Sequence, residues 1–186
     1  MAQRTEKAIA NALKKLLAKR PLNKITISDI ANECGINRMT FYYHYRDVYD
    51  LIECIANEEL KGALEGKRTL ADWQQGILKL MDVIQKDKGF YTGVYQSIDR
   101  DKTIDYIYDL ISDLLKEGVA QVPSTVKVSE ADKQFIVDFY AYAFCGLLLQ
   151  WVRNGMEEEP AELVDRMGKL GKGGLGRGLD AFSNGR

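Results

Sequence analysis

Apolar side chains recur every three or four residues along almost the whole chain, the spacing that places them on one face of an α-helix. The first stripe begins at Ile9 and ends before Pro21, since proline disfavours helix in the residue that precedes it. Another stripe follows in the C-terminal half, from Phe135 to Trp151. Only three prolines interrupt the 186 residues, and no valine-rich run alternates as a strand does. The chain is therefore predicted to be all-α.

Two very short helical segments, separated by a glycine, lie between residues 26 and 45. Ala31 is small enough for two short helices to cross closely, Gly35 permits a tight turn four residues later, and Ile36 plugs the core beneath that turn. Asn37 can then cap a second segment whose exposed side chains are able to enter a DNA major groove. The pattern predicts a helix-turn-helix in an N-terminal three-helix domain.

The second short segment carries polar and aromatic side chains suited to a DNA duplex. Arg38, Thr40 and Tyr43 offer hydrogen-bond donors and acceptors to base edges. Tyr42 and His44 are amphipathic groups that can reach phosphates or thymine methyl groups. Because His44 is the only histidine and has no nucleophile or acid partner at catalytic spacing, phosphate contact or packing is favoured over catalysis.

Charge is distributed unevenly along the chain. Residues 1–46 hold nine Lys and Arg against three Asp and Glu, a net of +6, whereas the remaining residues have a net of −7. A basic N-terminal segment followed by an acidic remainder indicates that only residues 1–46 bind a polyanion. The alternative is a chance distribution of solvated charge.

These features resemble the TetR family of one-component bacterial regulators. The family pattern corresponds here to Thr26, Asp29, Ile30, Ala31, Gly35, Thr40, Phe41, Tyr42, His44 and Tyr45, within a similarity that spans about residues 5–55. The resemblance implies an all-helical homodimer with two recognition helices on a near-palindromic operator, and a divergent C-terminal domain for ligand sensing and dimerisation. The C-terminal half has a fainter similarity to the branch around the dihydroxyacetone-kinase operon regulator.

One position departs from the family pattern. The family often places a basic, phosphate-contacting residue at the start of the fourth helix, where this chain has Val48. Backbone N–H groups at that helix N-terminus could still approach a phosphate. The candidate DNA-contacting residues are Thr26, Asn37, Arg38, Met39, Thr40, Tyr42, Tyr43, His44 and Val48.

The C-terminal half contains many aromatic residues, most of which must be core or interface. Tyrosines need a hydroxyl partner when buried, which favours cavity walls and interface edges. The candidate ligand-binding residues are Trp73, Tyr91, Tyr95, Tyr108, Phe139 and Tyr142. Two late helices, 129–154 and 160–170, are predicted to form a four-helix bundle with their symmetry mates, although the run 139–152 could instead be an intramolecular core helix. The candidate dimer-interface residues are Phe144, Leu147, Leu148, Trp151, Leu163 and Met167.

We predict a DNA-binding domain at residues 1–47, a regulatory and dimerisation bundle at residues 48–170, and a flexible glycine-rich tail at residues 171–186. The tail contains Gly171, Gly173 and Gly176 at the spacing of a dinucleotide-binding loop, but it follows a helix and too few residues remain for a βαβ unit.

The composition and motifs favour a cytoplasmic regulator over other classes of protein. The three cysteines are far apart and lack metal-ligand spacing, and the longest uncharged run has fourteen residues, fewer than the roughly 18 that a membrane span needs. No enzyme, cofactor or metal site is predicted. The protein is expected to be a ligand-responsive repressor that binds a palindromic operator as a homodimer. An unidentified small-molecule effector is expected to control this binding. The alternative is a regulator controlled by a partner protein, or a co-activator, without a small-molecule pocket.

Overall fold

The computed structural model describes residues 2–65, 72–120, 128–171 and 174–183. Every secondary-structure element within these ranges is helical, which confirms the all-α prediction. The helices are α1 (Ala2–Leu17), α2 (Ile27–Cys34), α3 (Arg38–His44), α4 (Val48–Ala56), α5 (Gly62–Leu64), α6 (Trp73–Lys86), α7 (Lys88–Ser97), α8 (Arg100–Ala120), α9 (Glu130–Arg153), α10 (Pro160–Gly171) and α11 (Gly174–Ser183). A 3₁₀ turn at Leu22–Lys24 precedes α2, and a π-helical turn at Asn57–Lys61 joins α4 to α5.

Short polar side chains fix where the N-terminal helices begin and end. The side chains of Thr26, Asn37 and Asp47 each accept a hydrogen bond from a backbone N–H in the first turn of the helix that follows, at 3.2, 2.9 and 2.9 Å respectively. Gly35 ends α2 in the left-handed conformation at φ +69°, which a glycine adopts without the steric cost of a Cβ. These local signals set the two short helices of the predicted helix-turn-helix.

The first three helices pack around one apolar core. The predicted α1 stripe is buried, with no member more than 8% exposed: Ile9, Ala12, Leu13, Leu16 and Leu17. Ile30 from α2 and Phe41 from α3 are completely buried against it. Burying each such side chain contributes roughly 1.5–3 kcal/mol, enough to hold helices too short to be stable alone.

The C-terminal half is a bundle in which α8 and α9 lie along one another. By length and composition alone, α9 could cross a membrane, with a mean hydropathy of 1.5 over its most apolar window, of which 44% is buried inside the protein. One side of α9, including Ile136, Phe144 and Leu148, is buried, and a core helix passes the same test of length and composition. At its C-terminal end, the Trp151 indole N–H donates to the carbonyl oxygen of Glu158 at 2.7 Å.

The glycine-rich tail is not loose where the structure describes it, and that expectation is corrected for residues 174–183. These residues form α11, which packs on α9. Leu179 is 2% exposed, and the ring of Phe182 lies edge-on to that of Phe135 with 6.1 Å between centroids. Tertiary burial therefore outweighs the poor helix propensity of glycine. The rest of the predicted tail after Gly171, residues 172–173 and 184–186, lies outside the described residues.

Candidate DNA-binding surface, cavity and subunit surface

The outward face of α3 presents large side chains to solvent. Tyr43 is 84% exposed, Met39 73% and Tyr42 45%, and Arg38 at the start of the helix is also exposed. Phe41, on the opposite side, anchors the helix in the core with 0% exposure. The seven-residue helix thus offers one continuous face that combines a cation, two hydroxyls and apolar rings. Groups of these kinds read base edges and thymine methyl groups in a major groove.

Thr26 and Asn37 act first as helix caps. The Thr26 hydroxyl and backbone N–H both donate to the Asp29 carboxylate, at 2.7 and 2.8 Å, and Arg20 lies 3.1 Å from the other carboxylate oxygen. These hydrogen bonds from Thr26, helped by Arg20, lower the pKa of Asp29 to about 2. Both capping residues are exposed, so they border the α3 face, whereas Thr40 is half-buried beside it.

His44 does not belong to the exposed face. Its side chain is 8% exposed, and its Nδ1 atom lies 3.2 Å from Oε1 of Glu6 on α1. The ring also packs edge-on to Tyr43 and beside Tyr45. The structure therefore supports packing, the alternative to phosphate contact weighed from the sequence.

The N-terminus of α4 carries two exposed residues that the sequence-based set omitted. Val48 itself is half-buried and packs against the core. Beside it, the Arg46 side chain is 84% exposed and pairs with Asp50 at 2.8 Å, and Tyr49 is 59% exposed. Their position next to Val48 was the available signal, because they flank the helix N-terminus singled out for a phosphate. This end of α4 therefore exposes a cation and a hydroxyl beside Val48.

A small apolar cavity lies among α4, α6, α7, α8 and α9 and the π-helical turn. Its volume is about 70 Å³. The wall includes Leu60, Ile84, Phe90, Tyr91, Tyr95 and Tyr106. Cavities that enclose drug-sized ligands usually measure roughly 300–1,000 Å³, so this one holds only a few atoms as it stands.

Two of the six predicted ligand-binding residues, Tyr91 and Tyr95, line this cavity. Trp73 instead stacks on the ring of Phe144 at 5.1 Å and 11°. Tyr108 donates its hydroxyl hydrogen to Asp138 on α9 at 2.6 Å, and that bond, together with burial, raises the pKa of Tyr108 to about 12.

Phe139 and Tyr142, the other two predicted ligand residues, lie on the outer surface of α9. They are 63% and 58% exposed, and neither lines the cavity. The sequence pattern did not distinguish them from cavity residues, because an aromatic stripe has the same spacing whichever neighbour covers it.

The predicted dimer-interface set also divides by burial. All but one of its residues are at most 6% exposed within a single protomer: Phe144, Leu148, Trp151, Leu163 and Met167. Only Leu147, at 36%, reaches the surface. These five residues lie in the core of the protomer. For Phe144, Leu148 and Trp151 this is the intramolecular packing that the sequence left as the alternative for the run 139–152.

The exposed side of α9 forms an apolar row, here called the outer face. It consists of Phe135, Phe139, Tyr142, Ala143, Gly146 and Leu147, all exposed. Beyond Leu147 an open groove of about 500 Å³ runs between α9 and α10, where Leu170 is 82% exposed. Contiguous apolar surface of this kind marks interaction sites on proteins.

The part of the chain that the structure describes contains no group of three or more His, Cys, Asp or Glu side chains that could hold a metal ion.

Comparison with known proteins places both halves of the chain. Residues 9–55 match the family model described as bacterial regulatory proteins of the tetR family, and residues 71–173 match a transcriptional regulator C-terminal region. The chain is 24% identical over 166 residues to the HTH-type dhaKLM operon transcriptional activator DhaS of Lactococcus lactis subsp. lactis (strain IL1403), with 87% of each chain covered.

Solved structures share the fold. The dihydroxyacetone kinase operon activator DhaS superposes with a TM-score of 0.74 at 22% identity, covering 97% of this chain and 98% of the other. NalD, the secondary repressor of the MexAB-OprM multidrug efflux pump in Pseudomonas aeruginosa, has a TM-score of 0.65 at 16% identity, covering 96% and 98%. The architecture, an N-terminal helix-turn-helix followed by a helical domain, is the same in each.

Proposed function

The chain belongs to the TetR family of bacterial transcriptional regulators, and from this premise we propose that it binds a palindromic operator as a homodimer in the cytoplasm. We further propose that it acts as a repressor released by a small-molecule effector. The observation that carries the DNA-binding part is the outward face of α3, where Arg38, Met39, Tyr42 and Tyr43 are exposed on a helix anchored by Phe41.

We assign the recognition of the operator's base sequence to the exposed side chains of α3. The Arg38 guanidinium offers paired donors of the kind that recognise guanine, and the hydroxyls of Tyr42 and Tyr43 reach base edges or phosphates. Contacts with the DNA phosphates are assigned to the N-terminus of α4, where Tyr49 and the preceding Arg46 are exposed. His44 supports α3 from inside through Glu6.

The homodimer is proposed to form through the outer face of α9 and the adjoining groove. Phe139 and Tyr142 would otherwise leave two aromatic rings in water, and Gly146 allows close approach because it has no side chain. A two-fold axis beside α9 makes the contact isologous, so that α9 and α10 of both protomers form a four-helix bundle. The two α3 helices then address half-sites roughly 34 Å apart.

The cavity lined by Tyr91, Tyr95 and Tyr106 is the proposed effector site. Its apolar wall, which includes three tyrosine side chains, suits a small, mostly apolar molecule. Because the volume is about 70 Å³, an effector must either be very small or widen the cavity as it binds. Widening would displace α7 or the segment after α4.

A second candidate function is control by a partner protein, including action as an activator. The small volume of the cavity favours it, since a protein partner needs no interior space. It also agrees with the name of the curated relative from Lactococcus lactis, a transcriptional activator. A promoter–reporter fusion in a heterologous host separates the two candidates. Regulation by added metabolites with this chain alone supports the effector, whereas regulation only when neighbouring genes are co-expressed supports the partner.

DNA binding is tested with variants of α3. An operator is first selected from a random duplex library with the full-length protein. We expect Arg38→Ala or Tyr42→Ala to abolish specific binding, with the dimer intact by size-exclusion chromatography. The matched control is Arg100→Ala, which removes an exposed cation at the start of α8. Wild-type operator affinity in both α3 variants would overturn the assignment.

A further inference from the structure

A π-helical turn interrupts the helix that leaves the DNA-binding domain. It spans Asn57–Lys61, between α4 and α5. A π turn accommodates one more residue than an α turn, its hydrogen bonds are less favourable, and such turns concentrate at functional positions. Contacts from other elements must therefore hold it in place.

Two tyrosines of the cavity wall make such contacts. The Tyr91 hydroxyl donates to Oε2 of Glu59 at 2.8 Å, and the Tyr106 hydroxyl donates to Oδ1 of Asn57 at 3.3 Å. Burial, together with the neighbouring Glu59 carboxylate, raises the pKa of Tyr91 well above its usual range, so the phenol keeps its proton. Leu60, in the same turn, is 2% exposed and lines the cavity. Glu59 and Asn57 are therefore hydrogen-bonded to tyrosines that an occupant of the cavity would touch.

The same carboxylate is bound from the DNA-binding domain. Lys14 of α1 donates to Oε1 of Glu59 at 2.5 Å and also pairs with Asp87, which lies just before α7. Its ammonium stands 5.4 Å from the centre of the Phe90 ring, another part of the cavity wall. Burial disfavours this charge, but the bonds to Asp87 and Glu59 outweigh that effect and raise the pKa of Lys14. Glu59 therefore accepts one hydrogen bond from Tyr91 in the cavity wall and one from Lys14 of α1.

Backbone packing brings the two halves together at this point. A Cβ on Gly93 of α7 would lie 3.2 Å from Cδ2 of Leu17, so α7 sits close against the end of α1. A molecule that entered the cavity and displaced α7 would therefore also displace α1, both by direct contact and through Glu59.

We infer that Tyr91, Glu59 and Lys14 are positioning residues that couple the cavity to the DNA-binding domain through the π turn. This inference rests on the proposed function, because it concerns how the cavity acts on operator binding. Conversion of the π turn to an α-helical turn would shift the segment by one residue of register. This shift would rotate α4, whose other end carries the DNA-facing residues Arg46 and Tyr49.

The test removes one hydroxyl and leaves the ring in the cavity wall. Coupling energies between sites correspond to affinity changes of roughly 5–150-fold. We expect Tyr91→Phe to change the operator dissociation constant by at least about fivefold. The matched control is Tyr108→Phe, which also removes a tyrosine–carboxylate bond but joins α8 to α9 away from the π turn. It should stay within about twofold of wild type.

A double-mutant cycle with Lys14→Met identifies the shared carboxylate as the link. If both residues act through Glu59, the effect of Tyr91→Phe on operator affinity shrinks in the Lys14→Met background. Multiplicative effects of the two changes would overturn the inference. So would a variant whose melting temperature falls while the operator affinity of the folded dimer stays at the wild-type value, because that result assigns the network to stability alone.

Binding measurements on the wild-type protein distinguish a failure of this inference from a failure of the proposed function. If the wild-type dimer enriches no sequence from a random duplex library, the proposed function fails. If it binds its operator and Tyr91→Phe behaves as Tyr108→Phe does, only the coupling fails.

Discussion

Replacing Phe139 by alanine removes the most exposed aromatic ring from the outer face of α9. The residue is 63% exposed in the protomer, and an aromatic side chain presents roughly 150–250 Å² in all, so about 100–150 Å² would be covered in a dimer. At about 25 cal/mol per Å² this is roughly 3 kcal/mol for each copy, or about 6 kcal/mol across a two-fold interface. Ordering of side chains and lost freedom on association absorb part of it. We expect the dimer dissociation constant to rise by at least about 100-fold, equivalent to about 2.7 kcal/mol.

The assay is sedimentation velocity over a wide range of protein concentrations. Tyr43→Ala is the matched control, since Tyr43 is even more exposed but lies on α3, and its loss should leave the dimer unchanged. Phe139→Ala should also lose operator affinity at low protein concentration, because dimerisation precedes binding to a palindrome. Equal dissociation constants for wild type and Phe139→Ala would refute the outer face as the subunit surface.

Two further predictions concern the helix-turn-helix itself. Gly35→Ala should lower the free energy of unfolding by about 1–2 kcal/mol in urea denaturation, because a Cβ at φ +69° is strained although it meets no atom within 4 Å; an unchanged midpoint would contradict this. Asp29→Asn should destabilise the protein at neutral pH, because the folded state holds the pKa of Asp29 down to about 2 through the bonds from Thr26. Since the folded pKa lies below the unfolded one, the difference in unfolding free energy between wild type and variant should be complete above about pH 4 and be lost as the pH falls through about 2. A difference that does not vary with pH would show that the carboxylate charge is not involved.

Local chemistry made the N-terminal domain predictable. The caps at Thr26, Asn37 and Asp47 and the turn at Gly35 depend only on residues within a few positions of each. The sequence therefore predicted the turn at Gly35 and the cap at Asn37 correctly. The residues of α3 chosen from the sequence only partly coincide with its exposed side: Tyr42 and Tyr43 are exposed, whereas His44 packs against Glu6.

The faces of α9 depend on neighbours that are distant in sequence. Phe139 and Phe144 are both aromatic members of one long apolar helix, yet the first is 63% exposed and the second 6%. The packing of α6, α8 and α10 against α9 determines which of the two rings is buried. Helical periodicity does not indicate which helix packs on which side of α9. For this reason the interface residues predicted from the sequence were mostly core residues.

Two other features could not be predicted for a related reason. The helix Gly174–Ser183 has poor intrinsic propensity and forms because Leu179 is buried. The π turn at Asn57–Lys61 is held by Tyr91, Tyr106 and Lys14, which lie between 32 and 49 residues away from their partners in the chain. Neither local composition nor periodicity indicates such contacts.

Sequence-specific DNA recognition is tested by the salt dependence of operator binding by the wild-type dimer. Binding is measured by fluorescence anisotropy on the selected duplex and on a scrambled duplex of the same composition. The basic residues 1–46, with a net charge of +6, should release counterions from the phosphates. We predict one dimer per palindrome, tighter binding to the operator than to the scrambled duplex, and an affinity that falls steeply and linearly on logarithmic axes as the salt concentration rises. Equal affinity for both duplexes, or an affinity that does not change with salt, would contradict sequence-specific DNA recognition by α3.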